Sequence, residues 1–249
     1  MSKIIHCSYH KCLTVYYSRV FSTLYNRMAG FGKGYRHFNS LLDDFYTDFR
    51  QFKIASINNH ALDLRKLGAG WRISRFVRDP RDLVVSGYFY HRRGAEPWCA
   101  LVDPGEEDWK TVNGHVPESM GRGLSFAAYL QSLNMEDGLM AEIDFRRNHF
   151  ASMGAWPVAD DRIRVFRYED LIGKEREVFA ELFSFYRLSW PERTIGHLLA
   201  WYFSASRQAG RTLHIRNPRT SQWKEHFTPK VSRYFERHFG DLLSRYGYA

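Results

Sequence analysis

The chain is poor in cysteine, has no long apolar run, and lacks the glycines that mark a nucleotide-phosphate loop. Its three cysteines, Cys7, Cys12 and Cys99, are odd in number and show no Cys-x-x-Cys or Cys/His ligand spacing. That pattern argues against a disulfide framework or structural zinc and fits a reducing, cytoplasmic setting. No stretch approaches the roughly 18 consecutive apolar residues of a membrane span, and no signal peptide precedes the first predicted strand. Acids are also in deficit: 27 Asp and Glu face 36 Lys and Arg, for a net charge of +9. The balance favours an anionic partner without choosing among nucleotide, nucleic acid, polyanionic sugar and acidic membrane. What is plentiful is core material, with 44% hydrophobic and 16% aromatic residues. A chain of 249 residues with this composition reads as one folded domain, 1–249, with no repeat or low-complexity tract.

The organising stretch comes first. The apolar run Lys3-Ile-Ile-His-Cys7 predicts a buried strand, a polar turn containing Lys11 follows, and residues 14–28 carry a helix-compatible pattern free of Gly and Pro. Strand, tight turn and helix start make an anion site, because unpaired N–H groups and the helix dipole point at one spot and Lys11 adds a charge. Further strands are predicted at 53–57, 71–77 and 162–167, separated by helical segments. Asp79 is placed to cap a helix that opens at Pro80. Alternation of this kind predicts an α/β fold with a mostly parallel central sheet flanked by helices. Residues 40–51 read as a surface helix or loop, 124–149 as one or two helices, and 194–207 as another. The last helix starts near Thr228. Residues 92–123 interrupt the pattern with five glycines and three prolines. Such an insertion suits a lid or binding loop near an acceptor site, with Trp98 and Trp109 as its large side chains.

Four separated stretches then fall into line. Tyr9-His-Lys-Cys-Leu-Thr-Val-Tyr16 resembles the 5′-phosphosulfate loop of the PAPS-dependent sulfotransferases, usually Tyr-Pro-Lys-Ser-Gly-Thr-Thr-Trp. Arg78-Asp-Pro-Arg-Asp-Leu-Val-Val-Ser86 is similar to their 3′-phosphate motif, Phe166-Arg-Tyr-Glu-Asp-Leu171 to their Tyr-Glu-Asp segment, and Arg216 with Trp223-Lys224 to their late Arg-Lys-Gly…Trp-Lys region. The resemblance runs through nearly the whole chain in the family's order, and it implies a P-loop-NTPase-like sulfotransferase architecture.

It also implies roles. PAPS (3′-phosphoadenosine 5′-phosphosulfate) needs two anion sites. Lys11, Cys12, Leu13, Thr14, Val15 and Tyr16 would form the first. Arg78, Ser86 and Arg216 would form the second, with guanidinium groups as charge-assisted donors. Tyr168 and Tyr16 would pack on adenine. His60 stands where the family has its catalytic base, and Lys11 would hold the bridging oxygen as charge develops. His6, His10 and His91 are the competing histidines. The implied product is PAP, the acceptor a hydroxyl on a small molecule or glycan, and no metal, nucleic acid or membrane span is expected. Departures from the pattern are His10 for proline, Leu13 for glycine, Val15 for threonine, Asn58 for lysine, and Asn217-Pro218 for Lys-Gly. Two other classes share part of the evidence. A P-loop kinase shares the strand, loop and lysine but wants GxxxxGK[ST] and an acid for Mg²⁺. A non-catalytic basic module that binds polyanions shares the charge.

Overall fold

The computed structural model describes residues 3–9, 11–28, 34–157, 160–204, 207 and 219–248. The chain gathers into two compact units, each built from two sequence segments: Met1–Arg78 with Pro157–Arg219, and Asp79–Trp156 with Thr220–Ala249.

The first unit holds a five-stranded sheet of β1 (Lys3–Cys7), β2 (Tyr35–His37), β3 (Ile54–Ile57), β4 (Trp71–Val77) and β5 (Ile163–Arg167). All neighbours are parallel and the order is β2-β3-β1-β4-β5. β1 and β4 are buried almost throughout, as strands covered on both faces must be. This is the α/β, parallel-sheet fold expected from the alternating pattern. The chain leaves β1 toward β3 and later returns to its other side as β4. The C-terminal ends of β1 and β4 therefore flank the topological switch point, where open α/β sheets place their ligands.

α1 (Thr14–Ser22) follows β1 and runs into a π-helical turn at Thr23–Arg27, so the predicted helix over 14–28 changes pitch in its last turn. Its aromatic face packs on α8 (Glu175–Phe185), with the Tyr16 ring 4.9 Å and the Phe21 ring 6.4 Å from Phe179. α9 (Trp190–Tyr202) starts four residues before the predicted Thr194, where Glu192 accepts from the Ser189 N–H at 2.8 Å and Pro191 fills the first turn. Strand β2 was not visible in the sequence. It has three residues with a charged Arg36 in the middle, too short to show alternation. Residues 40–51 contain α2 (Leu42–Asp48), and Phe45 and Phe49 are buried rather than at the surface.

In the second unit, α3 (Pro80–Arg92) packs beside α4 (Phe126–Ser132) and α5 (Met135–Phe145), followed by α6 (Arg147–Gly154) and the long helix Pro229–Arg245. Residues 124–149 thus hold two complete helices and the start of a third, separated at Asn134, which caps α5, and at Arg146. The insertion at 92–123 carries two short 3₁₀ turns, Pro97–Ala100 and Lys110–Val112. Its tryptophans face inward. The Trp109 ring is fully buried, 5.2 Å from Phe126 and 5.4 Å from Phe145, and Trp98 stacks on Phe145 at 5.2 Å. The insertion is held down by its own aromatic core, each ring burying area worth about 2–3 kcal/mol. Beside that core lies a fully buried ion pair, with Arg146 Nε and His91 Nδ1 each 2.8 Å from the Glu142 carboxylate. Gly87 leaves them room; a Cβ there would run into both Glu142 and Arg146. No helix among the described residues is long and apolar enough to cross a membrane.

Candidate active site

The turn after β1 is tied from inside. Cys12 N–H donates to the Tyr9 carbonyl at 3.0 Å, and Ser8 N–H donates to the Ile57 carbonyl at 3.1 Å. The Thr14 hydroxyl donates to the Tyr9 carbonyl at 3.0 Å and lies 2.8 Å from the Ser8 hydroxyl. With the threonine proton engaged, Ser8 is the donor to Thr14 Oγ1.

Both Lys11 and Leu13 sit in the left-handed region, at φ 73° and 61°. Leu13 takes up the backbone shape that glycine adopts without strain, and it does so at about 1–2 kcal/mol. As the N-cap of α1, Leu13 has no side chain that can fill the helix start. The first N–H groups of α1 therefore face the turn with the positive end of the helix dipole. Cys12 is buried in the turn, and Val15 stands exposed on the first turn of the helix.

Arg78 follows the last residue of β4 and is 3% exposed. Its Nη1 is 3.5 Å from the Lys11 carbonyl, and its Cζ lies 4.2 Å from the centre of the Tyr168 ring. Tyr168 opens the short helix α7 (Tyr168–Leu171) directly after β5, whose pairing with β4 sets Val77 opposite Arg167. Strand register thus brings together Lys11, Arg78 and Tyr168, predicted from three distant motifs.

Tyr16 is 6% exposed, and its hydroxyl donates to the Ala200 carbonyl at 2.7 Å. Burial, then nearby Glu175, pushes its phenol well up. Ser86 is half-buried on α3, in the second unit. Arg216 and His10 lie outside the described residues.

His60 follows β3 and is 1% exposed. The Tyr9 ring stacks on it at 3.9 Å with 12° between planes, and Arg75 Nη2 lies 3.0 Å from its Nδ1. Of the competing histidines, His6 is buried in β1 with Nδ1 2.7 Å from the Ser74 hydroxyl, and burial, then His37, lowers its pKa well below the usual range. His91 is engaged with Glu142 in the second unit. Arg75 is the residue that the motifs missed. Its signal was present: a charge in the middle of a strand otherwise buried on both faces must have a specific reason. Across β1 it is in register with Cys7, whose thiol is pushed up to about 12 by burial, against the pull of Arg75. Among the described residues, no three His, Cys, Asp or Glu side chains come together as a metal cluster.

A family model for the sulfotransferase domain matches residues 72–247. The chain belongs to the sulfotransferase domain family. Arg78, Ser86, Tyr168 and Arg216 fall inside the match, whereas the Lys11 turn and His60 precede it. Among solved structures the chain is similar to a mouse sulfotransferase, SULT7A1, complexed with PAP. That likeness has 17% identity and a TM-score of 0.54, and covers 100% of this chain and 89% of that one. It is also similar to retinol dehydratase in complex with androsterone and the inactive cofactor PAP, at 13% identity and a TM-score of 0.53, covering 97% and 80% of the two chains. At these identities the likeness shows the fold. A comparison with curated proteins found no match.

Proposed function

We propose that this sulfotransferase-family chain moves a sulfuryl group from PAPS to a hydroxyl of a small-molecule or glycan acceptor by in-line displacement. The observation that carries the reading is the meeting of Arg78 with the Lys11 turn and the Tyr168 ring. The mouse sulfotransferase and the retinol dehydratase it resembles in fold were both solved with PAP.

The donor set suits a ligand with two anionic ends and an aromatic middle. The open start of α1 and the Lys11 ammonium suit the phosphosulfate. Arg78, with Ser86 and Arg216 as further candidates, suits the 3′-phosphate, and Tyr168 the adenine. In the transfer, the acceptor oxygen bonds to sulfur while the sulfur–oxygen bond to the 5′-phosphate breaks. Lys11 would stabilise the charge left on that oxygen, and His60 is the candidate to take the acceptor's proton. The family match runs across segments of both units, which supports reading 1–249 as one sulfotransferase domain. Three buried cysteine thiols suit a reducing compartment such as the cytoplasm.

Calorimetric titration with PAP, beside ATP with and without Mg²⁺, tests the donor. Micromolar PAP binding that needs no metal and is lost in Arg78→Ala is expected. Tight Mg·ATP binding with no response to PAP would move the lysine turn to the kinases.

A further inference from the structure

We propose that Arg75 is a positioning residue that decides which nitrogen of His60 carries a proton, and thereby limits that histidine as a base. The proposal rests on the sulfotransferase reading above. A guanidinium donates hydrogen bonds, accepts none and does not lose its charge in a protein. With Arg75 Nη2 3.0 Å from Nδ1, Nδ1 is the accepting nitrogen and the neutral ring holds its proton on Nε2. Tyr9, stacked flat on the ring, fixes its plane. Both side chains are 1% exposed, so water does little to screen them. An imidazolium at this place would set N–H against N–H and a second positive charge beside the guanidinium. Tyr9 from the turn stacks on the ring, and Cys7 of β1 is in register with Arg75, its thiol kept protonated at neutral pH by burial.

The consequence falls on the proton of the acceptor. When the acceptor oxygen bonds to sulfur and PAP departs with the electron pair of the broken bond, the hydroxyl proton must go to a base or have left already. While Arg75 occupies Nδ1, Nε2 has no lone pair to offer. Rates then follow the acidity of the acceptor: hydroxyls that ionise readily react, and aliphatic alcohols wait for the pair to open.

Two measurements test this. In the ¹⁵N-histidine-labelled wild-type protein, imidazole NMR, with His60 assigned by its loss in His60→Gln, is expected to show protonated Nε2 and bare Nδ1. A proton on Nδ1 overturns the proposal. Glutamine can accept as well as donate, so Arg75→Gln releases the tautomer. Its ratio of turnover on 4-nitrophenol to turnover on a simple alcohol, with PAPS supplied, should fall at least tenfold while PAP affinity stays within twofold. An unchanged ratio also overturns it. If Arg75→Gln does not fold, the wild-type spectrum alone decides. Absence of transfer to either acceptor by the wild type, with Nε2–H observed, would sink the sulfotransferase reading and leave the tautomer assignment standing.

Discussion

Two neighbouring parallel strands each lead into a helix, and the two helix starts are built in opposite ways. After β4, Asp79 accepts from the Arg81 N–H at 2.9 Å, Pro80 fills the first position, and the Arg81 guanidinium clasps the same carboxylate at 3.0 and 2.7 Å. That start supplies its own anion. After β1, the helix begins at Leu13, which has no polar side chain and a left-handed backbone. The nearby Thr14 hydroxyl is turned back to the Tyr9 carbonyl. A helix N-terminus becomes a place for a foreign anion when the chain withholds its own cap, and here the contrast lies within one sheet.

The largest test removes the charge from the open start. Lys11→Ala should lower sulfuryl transfer about 10²–10³-fold, the usual effect of deleting one donor to a developing oxyanion. A fully active variant would leave the two starts functionally alike.

Acid probes the strands beneath the open start. His6 in β1 and His37 in β2 are both held below the ordinary histidine pKa by burial, His37 at about 4. The unfolded chain therefore binds protons that the folded chain refuses, and stability falls as pH drops from about 6.5 toward 4, by up to about 1.4 kcal/mol per pH unit for each group. Hydrogen exchange at pH 5 should show β1 and β2 loosening before α3. Equal loss in both places would break the contrast.

Giving the open start a cap is the next step down. Leu13→Asp puts a carboxylate beside the helix dipole in a residue that tolerates the left-handed region better than leucine. Melting temperature should rise while PAP affinity, read by calorimetry, falls about tenfold, or about 1.4 kcal/mol. Taking the cap from the closed start gives the mirror image: Asp79→Ala should cost about 1 kcal/mol in denaturant unfolding. The smallest effect belongs to Leu13→Gly. Relief of about 1–2 kcal/mol of backbone strain is offset by about 0.5–1 kcal/mol of glycine entropy. A slight gain in stability with undiminished PAP affinity is expected.

Those two starts were also the parts most legible in the sequence. An apolar run ending in a lysine turn and an Asp-Pro at the head of a helix are local signals, and the structure places both where the residues predicted. The strand at 71–77 was legible too, since a strand buried on both faces announces itself as an apolar run. The edge strand at 162–167, with Arg164 and Val165 exposed, was legible only from its apolar Ile163, Val165 and Phe166. The meeting of His60 with Arg75 was not. The two follow or belong to strands separated by β1 in the sheet, so only the strand order brings them together. The burial of Trp109 in the insertion was not legible, because glycine and proline near it signal a loop, whereas the partners that bury it, Phe126 and Phe145, come later in the chain. The Leu13 conformation was unreadable as well; nothing in the letter of a leucine says that its backbone is left-handed.

The two units are interleaved along the chain, and this matters while the protein is being made. The first unit opens with Met1–Arg78 but needs Pro157–Arg219, which carries β5; the second opens at Asp79 but needs the segment from Thr220. The buried Asp82 carboxylate shows the dependence at atomic scale, since the N–H groups of Ser221 and Trp223 that donate to it, at 2.7 and 2.9 Å, are synthesised about 140 residues later. A ribosome delivering residues in order at about 5–20 per second leaves that carboxylate waiting for roughly 7–28 seconds, and the edge of β4 waits for β5 in the same way. Neither unit can close until its second segment has been made, and until then its strand edges and buried polar groups lack the partners that the later segment brings.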